Sequence, residues 1–167
     1  MNTIIIYSGK YGTTAECAEI LRGKLTGDIT LLDMKKKPEQ IELSEYDTII
    51  IGSSIYIGAV SKEIRKLCND NIELLDNKKV GIFLCCGFAE KMDEYLSSNF
   101  PASLRESAKS VKVFGGEARL EKMGFIDKMI MKAAMKGNDR KLGILPENIE
   151  AFVTEMNGED FCSHTLI

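Results

Sequence analysis

The amino-acid sequence predicts an α/β domain with a three-layer, doubly wound parallel sheet, in which helices cover both faces of five strands. Short apolar runs recur along the chain, and stretches of helical spacing separate them. The runs are continuously apolar, which is typical of strands that are buried on both faces. Strand–helix alternation along 167 residues predicts βαβ units in a single domain, 1–167, whose last few residues form a loose tail.

Five apolar runs are the predicted strands, and four other segments are the predicted helices. The strands are expected at 3–7, 29–34, 48–51, 80–84 and 111–114. The helices are expected at 13–25, 61–68, 90–97 and 149–156, the last of them behind Pro146, which favours helix initiation. In such a sheet a ligand binds beyond the carboxyl ends of the strands, so the residues after each run are the candidate site.

Charge and cysteine content exclude several classes of function. The net charge is −3, with 22 basic and 25 acidic residues, so the chain lacks the positive field that attracts nucleic acid. Five cysteines without a C-x-x-C pair, and a single histidine in the polar tail, His164, predict no metal site. Adjacent Cys85 and Cys86 are interpreted as the buried end of a strand. Without a basic leader or an apolar run of about 20 residues, the protein is expected to be cytoplasmic.

The first loop, 8–14, follows the first apolar run and leads directly into a predicted helix. Its glycines let backbone N–H groups point inward, its hydroxyls can donate hydrogen bonds, and the helix N-terminus favours an anion. The pattern therefore predicts a phosphate site, although an N-capped helix behind a tight turn explains the same residues. The residues concerned are Ser8, Gly9, Lys10, Tyr11, Gly12, Thr13 and Thr14.

Two further loops carry apolar and aromatic residues where a ring system would lie. In the second loop, Ser54, Ile55, Tyr56, Ile57 and Gly58, an exposed Ile-Tyr-Ile is unfavourable unless a flat aromatic ligand covers it. Packing of Tyr56 within its own domain is the alternative interpretation. In the third loop, Cys86, Gly87 and Phe88, main-chain groups could hydrogen-bond the polar edge of a flavin.

Four segments of the chain resemble the flavodoxin family. Within that family they are similar to the group of flavodoxin domains that includes the menaquinone-dependent protoporphyrinogen oxidases. The resemblance extends to about Phe152 and is carried by Tyr7 to Thr14, Gly52 to Gly58, Phe114 to Leu120, and Phe125 to Lys132. It implies strand order 2-1-3-4-5 and FMN held non-covalently, with the phosphate in the first loop and the ring between the second and third loops. At 88–95 the chain has a short stretch of mixed charge where those oxidases carry a longer, basic, proline-rich insertion.

A row of lysines marks one more surface. Lys128, Lys132 and Lys136 are spaced by four and share one face of a predicted helix. Such a helix can lie on an anionic membrane or a partner, or its lysines can form an ordinary solvated face.

Three classes of function are considered for a chain with these residues. The first is an FMN oxidoreductase acting on a small aromatic or quinone-type substrate, and the second is a flavodoxin-type electron carrier with no substrate of its own. The modest net charge of −3 argues against a carrier, because carriers are usually strongly acidic where they dock basic partners. A phosphate-accepting receiver is excluded, since the positions of its acidic residues hold Ser8-Gly9 and Gly52-Ser53. No acid–base pair stands out, so no catalytic side chain is predicted.

Overall fold

One parallel sheet forms the centre of the computed structural model, which describes residues 1–117, 119–136 and 142–158. Its strand order is β2-β1-β3-β4-β5, and all neighbouring strands are parallel, which confirms the predicted sheet. The tail with His164 lies outside the described residues. The strands are β1 (Asn2–Ser8), β2 (Asp28–Asp33), β3 (Thr48–Ser54), β4 (Lys79–Cys85) and β5 (Ser110–Val113).

Helices cover both faces of this sheet. Short 3₁₀ turns lie at Met34–Lys36, Leu43–Glu45, Ala89–Lys91 and Leu120–Lys122. The α-helices are α1 (Thr13–Lys24), α2 (Lys62–Asp70), α3 (Ile72–Leu75), α4 (Met92–Asn99), α5 (Ala102–Ser107), α6 (Phe125–Met135) and α7 (Pro146–Asn157). Within the described residues no helix combines the length and apolar character that crossing a bilayer requires.

The three central strands, β1, β3 and β4, are buried on both sides, as their continuous apolar composition predicts, whereas the edge strands β2 and β5 are more exposed. Along β1, Ile4 and Ile6 pack into a core layer with α2 to α5, whereas Ile5 packs into the opposite layer with α1 and α7. Successive side chains of a strand point to opposite faces, so only an uninterrupted apolar run fills both layers.

The structure differs from the sequence-based expectation mainly at element ends. The third strand does not stop at Ile51 but continues to Ser54, because Gly52 pairs in register with Phe83 of β4. The segment expected as one helix at 90–97 starts as a 3₁₀ turn before α4. The short helices α3 and α5 have four and six residues, too few to display a helical period in the sequence.

Candidate functional site

The first, second and third loops surround one cavity at the carboxyl ends of β1, β3 and β4. Its volume is about 540 Å³, which lies in the range of small-molecule and cofactor sites. Three predicted site residues do not line it: Ser8 is buried at the end of β1, and Gly9 and Gly12 form the turn behind it. The predicted residues that line the cavity are Lys10, Tyr11, Thr13, Thr14, Ser54, Ile55, Tyr56, Ile57, Gly58, Cys86, Gly87 and Phe88.

The first loop leaves the N-terminus of α1 open towards this cavity. Gly12 is the N-cap residue with φ of 98°, and no side chain among the described residues caps the helix. The first N–H groups of a helix lack partners within it, so here they remain available to a ligand. The helix behind a tight turn that the sequence left as an alternative is present with Gly12 as its N-cap residue, so the phosphate site stays a prediction.

Thr14 contributes a buried hydroxyl that has no conventional partner. Its Oγ1 makes no hydrogen bond to nitrogen or oxygen in the described residues, and its polar neighbour is the thiol of Cys85, a weak partner. A side chain on Gly9 would approach Oγ1 to 2.5 Å, so the turn closes tightly over this hydroxyl. Hydrogen bonding with Cys17, together with burial, raises the pKa of Cys85 well above its ordinary value and keeps that thiol neutral.

The second loop is a tight hairpin turn with an apolar residue at its tip. Tyr56 and Ala59 exchange backbone hydrogen bonds of 2.9 and 3.1 Å. Between them Ile57 and Gly58 both have positive φ, 49° and 74°, as a type I′ turn requires. A β-branched residue is strained in this conformation, yet Ile57 occupies it with 71% of its surface exposed.

The third loop lies close against the chain that follows β5. A Cβ on Gly116 would come within 2.8 Å of the Cys86 carbonyl carbon, so only glycine allows the two segments to approach this closely. Cys85 ends β4, and both Cys85 and Cys86 are buried and free, as interpreted from the sequence. Burial raises the pKa of Cys86 to about 11, so this thiol is also neutral.

One wall of the cavity comes from α6, which the sequence did not assign to the site. Its inward residues Asp127, Ile130, Met131, Ala134 and Met135 line the cavity, whereas none of its residues is buried. Asp127 accepts hydrogen bonds from Tyr11 and Tyr56 and pairs with Lys10. Tyr11 and Asp127 are 116 positions apart, and no local pattern links them.

Two basic side chains from the segment between β5 and α6 lie close to the first loop. A Cβ on Gly12 would lie 3.2 Å from Arg119 Nη1 and 3.5 Å from Lys122 Nζ. Arg119 is held in place by Glu117 at 2.8 Å and by Glu16 of α1. The segment after β5 therefore places Lys122 and the glutamate-paired Arg119 beside the start of α1, a contact that sequence spacing alone does not reveal.

Comparison with known proteins identifies the fold. The family described as flavodoxin domain matches residues 4–142. The flavodoxin of Fusobacterium nucleatum bound to flavin mononucleotide is 16% identical to this chain. The match covers 95% of this chain and 99% of the flavodoxin, with a TM-score of 0.50. The metal-soaked Flv1 flavodiiron core of Synechocystis sp. PCC6803 is 17% identical, and the match covers 68% of this chain and 30% of Flv1, with a TM-score of 0.52.

A third similar solved structure is a longer chain. It is the rubredoxin oxygen:oxidoreductase of Desulfovibrio gigas, 16% identical, with coverage of 92% of this chain and 36% of its own and a TM-score of 0.45. The chain thus spans about a third of that protein and of Flv1, but nearly the whole length of the Fusobacterium flavodoxin. A search of curated proteins gave no match.

Proposed function

Because the chain belongs to the flavodoxin domain family, we propose that it binds one FMN in the cavity and moves electrons through it. One observation carries this proposal: the uncapped N-terminus of α1 and the aromatic second loop both line a single cavity of about 540 Å³. A site for an anion and a surface for a ring system in one cavity suit a mononucleotide.

The phosphate is assigned to the first loop, with Ser8, Gly9 and Gly12 shaping its backbone. Uncapped N–H groups at the start of α1 and the buried Oγ1 of Thr14, whose polar neighbour is the weakly bonding thiol of Cys85, are donors without a conventional acceptor. An anion would satisfy both, and the helix dipole would stabilise it. Lys122 and Arg119 lie beside Gly12 of this loop, and Arg119 is paired with Glu16 and Glu117.

The ring system is assigned to the space between the second and third loops. Tyr56 and Ile57 offer apolar surface on one side, and their exposure of 37% and 71% would fall when a ring covers them. On the other side lie Gly87 and Phe88 of the third loop, which also line the cavity. Their main-chain groups are assigned to the polar edge of a flavin.

When bound, FMN supplies the redox chemistry, and the residues of this chain bind it, orient it and exclude water. The neutral thiols of Cys85 and Cys86 line the cavity without acting as nucleophiles, since the thiolate is the reactive form. No side chain is assigned a catalytic role.

The proposal extends to the class of reaction. We infer an oxidoreductase related to the quinone-linked protoporphyrinogen oxidases, acting on a small aromatic or quinone-type substrate. Its support is the apolar wall that Ile130, Met131 and Met135 add to the cavity, because flexible methionines accommodate varied apolar ligands. An electron carrier without a substrate is the alternative; it would exchange electrons with a redox protein but would not turn over a quinone.

The outer face of α6 is proposed to touch an anionic membrane surface. The protein is otherwise placed in the reducing cytoplasm, which suits the four buried free thiols among the described residues. Phe125 and Ile126 are 79% and 71% exposed, unusually high for large apolar side chains. Lys128, Lys132 and Lys136 stand beside this apolar face, a pattern typical of helices that lie in a membrane interface.

A visible absorption spectrum tests the proposed function directly. Purified protein is mixed with FMN, passed through gel filtration and scanned. A retained flavin band in one-to-one ratio supports the cofactor assignment, and quinone-dependent turnover then separates the oxidoreductase from the carrier. A protein that elutes colourless refutes FMN binding.

A further inference from the structure

A carboxylate on α6 connects the first and second loops through three hydrogen-bonding partners. Asp127 Oδ1 accepts a hydrogen bond of 2.6 Å from the Tyr56 hydroxyl. Oδ2 accepts one from the Tyr11 hydroxyl and pairs with Lys10 Nζ at 2.9 Å. Lys10 Nζ also lies 3.5 Å from the centre of the Tyr56 ring, so it is held between a carboxylate and an aromatic face. These four side chains are called the Asp127 cluster.

The Asp127 cluster differs from an isolated, exposed ion pair such as that of Lys66 and Asp70. The Asp127 side chain is only 16% exposed, whereas Lys66 and Asp70 of a typical surface pair are 76% and 54% exposed. Isolated exposed pairs contribute little, but three donors on one carboxylate form charge-assisted bonds that fix its geometry. Hydrogen bonds from Tyr11, Tyr56 and Lys10 lower the pKa of Asp127 to about 2, so the carboxylate is ionised at neutral pH.

The same cluster holds one wall of the cavity in place. All four of its members line the cavity. Helix α6 has no buried residue, so it receives little stabilisation from the core. In the described residues the Asp127 cluster is thus the main polar attachment between α6 and the two loops.

We propose that Asp127 is a positioning residue of the cofactor site, an inference that rests on the proposed function. It holds Tyr56 and Lys10 beside each other on the ring side of the cavity, links the second loop through Lys10 and Tyr11 to the first loop, and holds α6 against both. Because coupling free energies are reciprocal, a bound cofactor and this position of α6 stabilise each other.

The first test measures FMN dissociation constants by flavin-fluorescence titration. Asp127→Asn is expected to weaken FMN binding by about tenfold, the effect of losing one charge-assisted hydrogen bond. Asp127→Glu should recover part of that loss, because it restores the charge on a longer side chain. Glu121→Gln is the matched control: it removes an exposed carboxylate from the turn before α6, outside the cluster, and should stay within about twofold of the wild type. Equal affinities for the wild type and Asp127→Asn would overturn the proposal.

A second readout needs no cofactor. Burial and the hydrogen bond to Asp127 raise the pKa of Tyr11, while Lys10 opposes them. Spectroscopic titration of the apo-protein, with Tyr11→Phe to identify the signal, should therefore show a lower pKa for Tyr11 in Asp127→Asn than in the wild type. Should FMN fail to bind even the wild type, the proposed function fails by itself. In that case the Tyr11 titration still tests the Asp127 cluster. A lower pKa of Tyr11 in Asp127→Asn than in the wild type supports the cluster, and an unchanged pKa overturns it.

Discussion

The ring of Phe83 in β4 fills the space beside Gly52 in β3. The two residues are paired across neighbouring strands, and a Cβ on Gly52 would lie 2.1 Å from Cζ of the ring. Phe83 in turn stacks on Phe114 with 4.7 Å between ring centres. The glycine therefore admits an aromatic cluster directly beneath the third strand's end, where the second loop begins.

Gly52→Ala should destabilise the protein by about 1–3 kcal/mol, because the added methyl group must displace a ring in a packed core. The measurement is urea unfolding followed by circular dichroism. Gly23→Ala is the matched control: nothing lies within 4 Å of its Cβ position, and in α1 it should stabilise by up to about 1 kcal/mol. Equal unfolding midpoints for the two variants would contradict the packing described.

Replacing Thr13 and Thr14 together by valine should weaken FMN binding by about tenfold or more, since donors to the phosphate are lost. Flavin-fluorescence titration measures this, and Thr30→Val on the exposed edge strand is the control. Stability should change little at position 14, because its buried hydroxyl has no conventional partner to lose. Unchanged affinity would remove the first loop from the phosphate site.

Ile57→Asn should separate stability from binding. Asparagine tolerates positive φ and is favoured before glycine in a type I′ turn, so the apo-protein should gain about 1 kcal/mol in stability. FMN affinity should fall because the exposed apolar surface beside the ring is lost. Thermal unfolding and titration measure the two effects. If affinity is retained, Ile57 has no contact with the ring.

The Asp127 carboxyl should titrate near pH 2 instead of near 3.8, because three donors stabilise its charged form. The lowered pKa means that the cluster contributes fully to stability above about pH 4 and loses that contribution as the pH falls towards 2. The side-chain carboxyl carbon, followed by NMR against pH, measures this directly. A midpoint close to 3.8 in the wild type would show that the cluster does not form.

Lys128→Gln/Lys132→Gln/Lys136→Gln should reduce binding to anionic vesicles, since each basic residue near such a surface contributes about 1 kcal/mol. Flotation with anionic and with zwitterionic vesicles measures it. The control Lys35→Gln/Lys36→Gln/Lys37→Gln removes the same charge from another exposed segment and should bind like the wild type. Wild-type protein that floats with neither vesicle would exclude the membrane contact.

Most of the fold could be predicted from the sequence because its determinants are local. Ile4, Ile5 and Ile6 fill two core layers only if a strand is covered on both faces, and that requirement is visible in three consecutive letters. The end of β3 was missed because the partner that allows Gly52 inside the strand, Phe83, lies 31 positions away in the chain.

The candidate site also has a part that could be predicted from the sequence and a part that could not. The loops after β1, β3 and β4 were found because each follows an apolar run directly, and the structure brings them together around one cavity. Asp127 and Arg119 were not assigned to the site, because their contacts to Tyr11 and Glu16 depend on how the segment after β5 folds back over the sheet. Both residues stand in segments that carry the family resemblance, but that resemblance assigned them no role in the site.

Because α6 has no buried residue, local opening of this helix is separate from global unfolding of the protein. Among the described residues, local opening of α6 would break the hydrogen bonds of the Asp127 cluster and expose little core surface, so it requires far less free energy than global unfolding. Exchange of a bound ligand can then occur in a folded molecule. Substitutions that weaken the core away from the cavity would shorten the lifetime of the protein without loosening α6.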